Sequence, residues 1–185
     1  MKKGMKFIFL VTTILSQSIS YGQEFLGIKV EGKLSEVVYK LKQKGFKITR
    51  SDDNNPFLEG KAGLSNVEVL IGSSPLSKTV YNITVYLPKR NDWDELKSEY
   101  EDYLRILTEK YGEPSDSFHF FSPPYVEGGG DEMNAIAMEK CNYSAYWKNL
   151  QIEITEFKQV AVIYRNEKNF NLMKLEKAQI KKSVF

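Results

Sequence analysis

His119 and Cys141 are the only histidine and the only cysteine in the 185 residues, and between them they bound the chemistry open to the chain. The commonest nucleophilic route sets a serine or cysteine beside a histidine base. His119 stands in the aromatic run Phe118-His119-Phe120-Phe121, and Cys141 lies between two strand-like segments, contexts in which both residue types are ordinary structural residues. Zinc sites ask for three or four His or Cys ligands, which the chain does not hold. No catalytic residue, metal or cofactor is assigned, and the chain is not read as an enzyme.

Oxygen ligands need only carboxylates. Asp52-Asp53-Asn54-Asn55 is contiguous, whereas a calcium loop alternates its ligands around a glycine and closes with a bidentate glutamate, so the run reads as a polar turn. Glu99, Glu101 and Asp102 fall on the outward side of an amphipathic segment, a solvated face rather than an acid–base pair across a cleft. Gly128-Gly129-Gly130 is followed by Asp131 and Glu132, whose charge repels a phosphate, so it reads as a mobile loop tip. Asn82-Ile83-Thr84 and Asn142-Tyr143-Ser144 match the glycosylation sequon but fall on or beside strands.

What remains is aromatic. Phe118, Phe120, Phe121, Tyr125, Tyr143, Tyr146 and Trp147 crowd the second half. Strand alternation sends Tyr146 to one face if Tyr143, Ala145 and Trp147 take the other. Rigid rings on a sheet face left uncovered make binding anchors, and the candidate binding residues are Tyr125, Tyr143, Tyr146, Trp147 and Phe120. The competing reading puts each ring in the core, where large aromatics supply most buried area.

The elements that must position these rings start with Asn91 to Pro114. Trp93, Leu96, Tyr100, Tyr103, Leu104 and Leu107 recur at three- and four-residue spacing, one apolar stripe of a helix. Asp92 caps it, Glu95 completes a capping-box pattern, and Gly112 and Pro114 stop it. A first helix is expected over Leu34 to Lys44, on Leu34, Val37, Val38 and Leu41. Strands are expected over Phe46 to Arg50, Phe57 to Lys61, Val67 to Ile71 and Val80 to Leu87, the last with Tyr81, Ile83, Val85 and Leu87 on one face. Further strands are expected over Phe118 to Phe121, Asn134 to Lys140, Tyr143 to Lys148, Leu150 to Thr155 and Val160 to Tyr164. A tail helix is expected over Asn169 to Ser183, with Phe170, Met173, Lys177 and Ile180 on its stripe. Both halves thus read as a helix followed by strands, which suggests a duplication.

Lys2, Lys3 and Lys6, the apolar run Phe7 to Leu15 and Ser20-Tyr21-Gly22 form the pattern of a signal peptide over residues 1–22, with Gln23 as the first mature residue. The apolar run is shorter than the ~20 residues that span a bilayer, so no transmembrane anchor is expected after cleavage. Removal of three lysines takes the formal charge of +2 to about −1, and without a basic block nucleic acid is not an expected partner. Cys141 cannot close an internal disulfide, so stability must come from the core.

The Phe25-Leu26-Gly27-Ile28 start, the junction Leu41-Lys42-Gln43-Lys44-Gly45-Phe46 and the ending Thr108-Glu109-Lys110-Tyr111-Gly112-Glu113-Pro114 are similar to segments of a group of exported proteins from Bacteroides-type bacteria. The layout resembles the fold family of the β-lactamase inhibitor protein, in which a helix-plus-strands module occurs twice and the joint sheet offers a face to a partner. The resemblance implies an α+β fold, with modules at 23–90 and 91–168, one antiparallel sheet with helices on one face, and a tail at 169–185. It carries over no functional residue, and the lone Cys141 departs from the disulfides of that family, which leaves partner binding rather than inhibition. The expected function is an exported, periplasmic or extracellular interaction module whose partner is another protein of the envelope or extracellular space. The alternative is a small-molecule or glycan-binding protein with an aromatic-lined cleft.

Overall fold

The computed structural model describes residues 24–52 and 54–184. The expected signal segment, 1–22, lies outside the described residues. The chain runs β1 (Glu24–Phe25), β2 (Ile28–Lys29), α1 (Leu34–Gln43), β3 (Lys47–Arg50), β4 (Phe57–Ala62), β5 (Ser65–Ser73), β6 (Val80–Tyr86) and α2 (Trp93–Tyr111). It continues β7 (Asp116–Phe121), α3 (Glu132–Ala137), β8 (Cys141–Trp147), β9 (Leu150–Ile154), β10 (Val160–Arg165) and α4 (Glu167–Val184).

Each helix is set locally. In α1 the Val37 and Leu41 spacing turns one stripe inward, and the Glu36 carboxylate accepts the Lys33 amide at 3.4 Å. In α2 the Asp92 carboxylate accepts the Glu95 amide at 3.1 Å, and Gly112, at φ +83°, ends the helix with its N–H on the Thr108 carbonyl. Trp93, Leu96, Tyr100 and Leu107 are its buried stripe.

Strands β3 to β10 form one antiparallel sheet in the order β3-β4-β5-β6-β10-β9-β8-β7, so β6 and β10 meet at its centre. Its inner face is apolar: Leu58, Val69, Val85, Val162, Ile152 and Ala145 lie in register across six strands. With Val37 and Leu41 of α1 and the buried stripe of α2 they form one core, in which each fully buried aliphatic contributes ~1.5–3 kcal/mol. Trp93 meets Tyr143 and Phe121 edge to face at 5.1 and 5.2 Å, which ties the start of α2 to β7 and β8, while the body of the helix lies against β9 and β10.

Three expectations are corrected. The segment Asn134 to Lys140, read as a strand, begins instead inside α3: Glu132, Ala135 and Ile136 are buried at the three- and four-residue spacing of a helix, and a short apolar run does not distinguish the two periods. Tyr81 does not share a face with Ile83 and Val85. A register shift between Gly72 and Ser73 inserts it as an extra residue, and its ring lies over Gly72 and against Phe170. The tail is a helix, as expected, but its buried stripe runs through Met173 and Glu176 while Lys177 and Ile180 are exposed. Glu176 is drawn inward because its carboxylate accepts the Leu76 and Ser77 amides at 2.8 and 3.1 Å. Burial raises its pKa, and these hydrogen bonds outweigh that effect and hold it below the ordinary range.

Candidate functional site

Alternation that turns the apolar residues toward α1 and α2 sends every second side chain to the opposite, outer face. There the register aligns two rows. Lys47, Glu59, Glu68 and Tyr86 lead across β3 to β6, and Ala161, Glu153, Ser144 and Phe118 continue across β10 to β7. Beside them run Arg50, Phe57, Leu70 and Thr84, then Ile163, Gln151, Tyr146 and Asp116. Helix α4 packs against β6 beside the β5–β6 turn, where Asn169 donates to the Val80 carbonyl at 2.8 Å.

Along β6, β9 and β8 on this face, polar side chains two residues apart bond to each other. Asn82 donates to Thr84 at 3.1 Å, Gln151 to Glu153 at 2.5 Å, and Ser144 to Asn142 at 2.7 Å. Each carboxamide engaged in this way keeps a further donor or acceptor for a ligand. Rings flank the polar pairs: Phe118 and Phe120 are 42% and 47% exposed, Tyr146 stands edge to face with Phe118 at 6.1 Å, and the Arg50 guanidinium lies 3.9 Å over Phe57.

Electrostatics mark the middle of the face. Burial raises the Glu153 pKa; the hydrogen bond from Gln151 and the charge of Arg165 oppose this, and Glu156 adds to it. The Tyr86 pKa rises through burial, then through the charges of Glu153, Glu156 and Glu68. Ala161 lies between Tyr86 and Glu153 on their row, and its small side chain leaves room for both. Glu68 is tied to Arg50 at 3.0 Å.

Two hollows open on this face. The larger, about 1040 Å³, lies toward β3–β6 and is lined by Lys47, Glu59, Lys61, Glu68 and Tyr86 among others. The smaller, about 160 Å³, is bounded by Tyr146, Asn149, Gln151, Ile163 and Arg165.

The five candidate binding residues divide. Tyr146 and Phe120 stand on the outer face. Tyr143 is 4% exposed in the core, and its hydroxyl donates to Glu127 at 2.9 Å. Trp147 is on the inner face and donates its Nε1–H to the Gly112 carbonyl at 2.7 Å, a fastening for the end of α2. Tyr125 lies in the β7–α3 connection, with its hydroxyl on the Met138 sulfur. The outer-face site is therefore drawn through Phe118, Phe120 and Tyr146, with Tyr86, Gln151 and Glu153. The last three carry no local motif; alternation within each strand marks them as outward, but only the register places them in one row.

Among the described residues no hydrogen bond joins His119 to Cys141. His119 shares a hydrogen bond with the Tyr100 hydroxyl at 3.2 Å, and burial, then the charge of Glu127, pushes the Cys141 thiol up to about 12, where the thiolate nucleophile is scarce. Among the described residues no cluster of three or more His, Cys, Asp or Glu is arranged to hold a metal ion, and no helix is long and apolar enough to cross a membrane.

Comparison of the chain with protein-family models, curated proteins and solved structures finds no match, so the functional reading rests on this geometry.

Proposed function

We propose that this is an exported binding protein whose outer sheet face takes a glycan or a similar polyol. The observation that carries the reading is the pair of rows crossing the outer face, in which carboxamide, carboxylate and hydroxyl groups stand among the rings of Tyr86, Phe57, Tyr146 and Phe118. A sugar presents hydroxyls that both donate and accept, and C–H faces that pack on aromatic rings. Phe118 and Tyr146 supply the rings, and Gln151, Glu153 and Asn142 supply the polar partners.

The same composition argues against a large protein partner on this face. Protein interfaces are depleted of charged residues at their cores, whereas Lys47, Glu59, Glu68 and Glu153 stand within one row here. The proposal includes a reading of the chain as two tandem modules, 23–90 and 91–168, whose last strands join the sheet, preceded by the signal segment 1–22.

A glycan array followed by calorimetry on its hits tests the reading. Saturable binding that is lost in Tyr146→Ala and in Gln151→Ala, with melting temperature unchanged, is the expected result. A folded protein that binds no oligosaccharide, or whose binding survives both substitutions, would overturn it.

A further inference from the structure

Strand β7 is one of the two edges of the sheet, and the two edges differ. At the other edge, β3 has four residues, carries Lys47 and Arg50, and is broken by a register shift between Ile48 and Arg50, all devices that discourage a further strand. β7 has six residues in regular register with β8, with no lysine, proline or bulge, and Asp116 to Phe120 are exposed. Ser122 donates its amide to the Lys140 carbonyl, so alternation turns Phe120 and Phe118 toward β8 and leaves the backbone groups of Ser117, His119 and Phe121 pointing outward.

From this edge we infer a further interaction that adjoins the ligand site and shares Phe118 and Phe120 with it: β7 pairs antiparallel with β7 of a second copy of the chain, about a two-fold axis at His119, joining two sheets into one. In that register His119 faces His119 of the other copy, and Ser117 faces Phe121 on either side. All three outward-pointing residues on each strand then exchange backbone hydrogen bonds. On the outer face Phe118 of each copy lies opposite Phe120 of the other, giving two cross-strand aromatic pairs.

Charge agrees with this register. Asp116 of one copy meets Ser122 of the other, a small residue whose neighbour across the ladder is Lys140, so an acid and a base approach each other at both ends of the strand pair. A register shifted to centre on Phe118 would set Asp116 against Phe120 and use fewer of the outward backbone groups. One strand pair with four phenyl rings sits at the small end of stable interfaces, so the association is weak and concentration-dependent.

Analytical ultracentrifugation of the purified protein across the micromolar to millimolar range is the direct test, run beside Ser117→Pro and Phe120→Lys. Ser117→Pro removes an outward amide and leaves the ladder to β8 intact; Phe120→Lys places a charge on the edge. The expected result is a reversible monomer–dimer equilibrium in the parent chain, abolished in both variants. A disulfide trap reads the axis: on a Cys141→Ser background, oxidised His119→Cys should give a cross-linked dimer, because opposed residues of a hydrogen-bonded pair fall within the Cα separation a disulfide spans. A monomer throughout the range with no cross-link would overturn the inference. A dimer that persists in both edge variants, or that cross-links through Phe118→Cys and not through His119→Cys, would overturn it equally. Tyr146→Ala and Gln151→Ala lie off this edge and should leave the dimer intact, and Ser117→Pro lies outside the ligand site, so a failure here is distinguishable from a failure of glycan binding.

Discussion

The Tyr143 hydroxyl donates to the Glu127 carboxylate at 2.9 Å, tying a core strand to the glycine-rich connection between β7 and α3. Lys97 of α2 holds the other oxygen of that carboxylate at 2.7 Å. One acid thus fastens the loop both to the helix and to the sheet.

A pH dependence follows from that fastening. The hydrogen bond from Lys97, then that from Tyr143, holds the Glu127 carboxyl below its ordinary value of 4.5. A carboxyl depressed by folding contributes stability that is fully present above its unfolded value and is lost as pH falls through the folded one. The contribution is therefore intact at neutral pH and is lost as pH falls below 4.5 and through the depressed folded value. Because Glu127 is 44% exposed, screening limits it to ~0.5 kcal/mol. Melting curves of Glu127→Gln and the parent should differ at pH 7 and converge in acid; curves that stay parallel would show that the loop is held otherwise.

Gly60 and Gly72 offer a paired test of packing. A Cβ on Gly60 would sit 2.5 Å from the Phe46 ring, which is buried and cannot retreat, and one on Gly72 would sit 2.8 Å from the half-exposed ring of Tyr81. Gly60→Ala is expected to destabilise by ~1–3 kcal/mol and Gly72→Ala by less, measured by urea denaturation. The reverse order would mean that Phe46 has freedom this packing denies it.

Tyr146 and Trp147 are neighbours in sequence on opposite faces, so substituting them should separate binding from stability. Trp147→Phe removes the hydrogen bond to Gly112 and should cost ~1 kcal/mol while ligand affinity is kept. Tyr146→Ala should lose affinity while stability changes little. Calorimetry and thermal melts on both variants check the division, and loss of affinity in Trp147→Phe with Tyr146→Ala unaffected would place the ligand on the inner face.

The Cys141 thiol should be unreactive in the native protein. With its pKa pushed up to about 12, native labelling by a thiol reagent at neutral pH is expected to be slower by orders of magnitude than labelling after denaturation. Rapid native labelling would mean that β8 opens at this position.

Helix α2 was legible residue by residue, because its cap, its stripe and its terminal glycine are all local to Asn91–Pro114 and act through contacts within a few residues. The alternation of β5, read on Val67, Val69 and Ile71, was legible for the same reason. What failed was decided at a distance. Asn134 to Ile136 form a helix because Ala135 and Ile136 find the core on one side, and Tyr81 turns over because a bulge opposite Gly72 adds a residue to its strand. The fates of Tyr143, Tyr146 and Trp147 depended on which face α2 covers, and a strand's own alternation is symmetric between its two faces. Sequence alone determined that the chain is an α+β protein with an aromatic second half. Only the tertiary structure decided that Tyr86, Glu153 and Phe118, contributed by β6, β9 and β7, stand in a single row, because register is a property of paired strands.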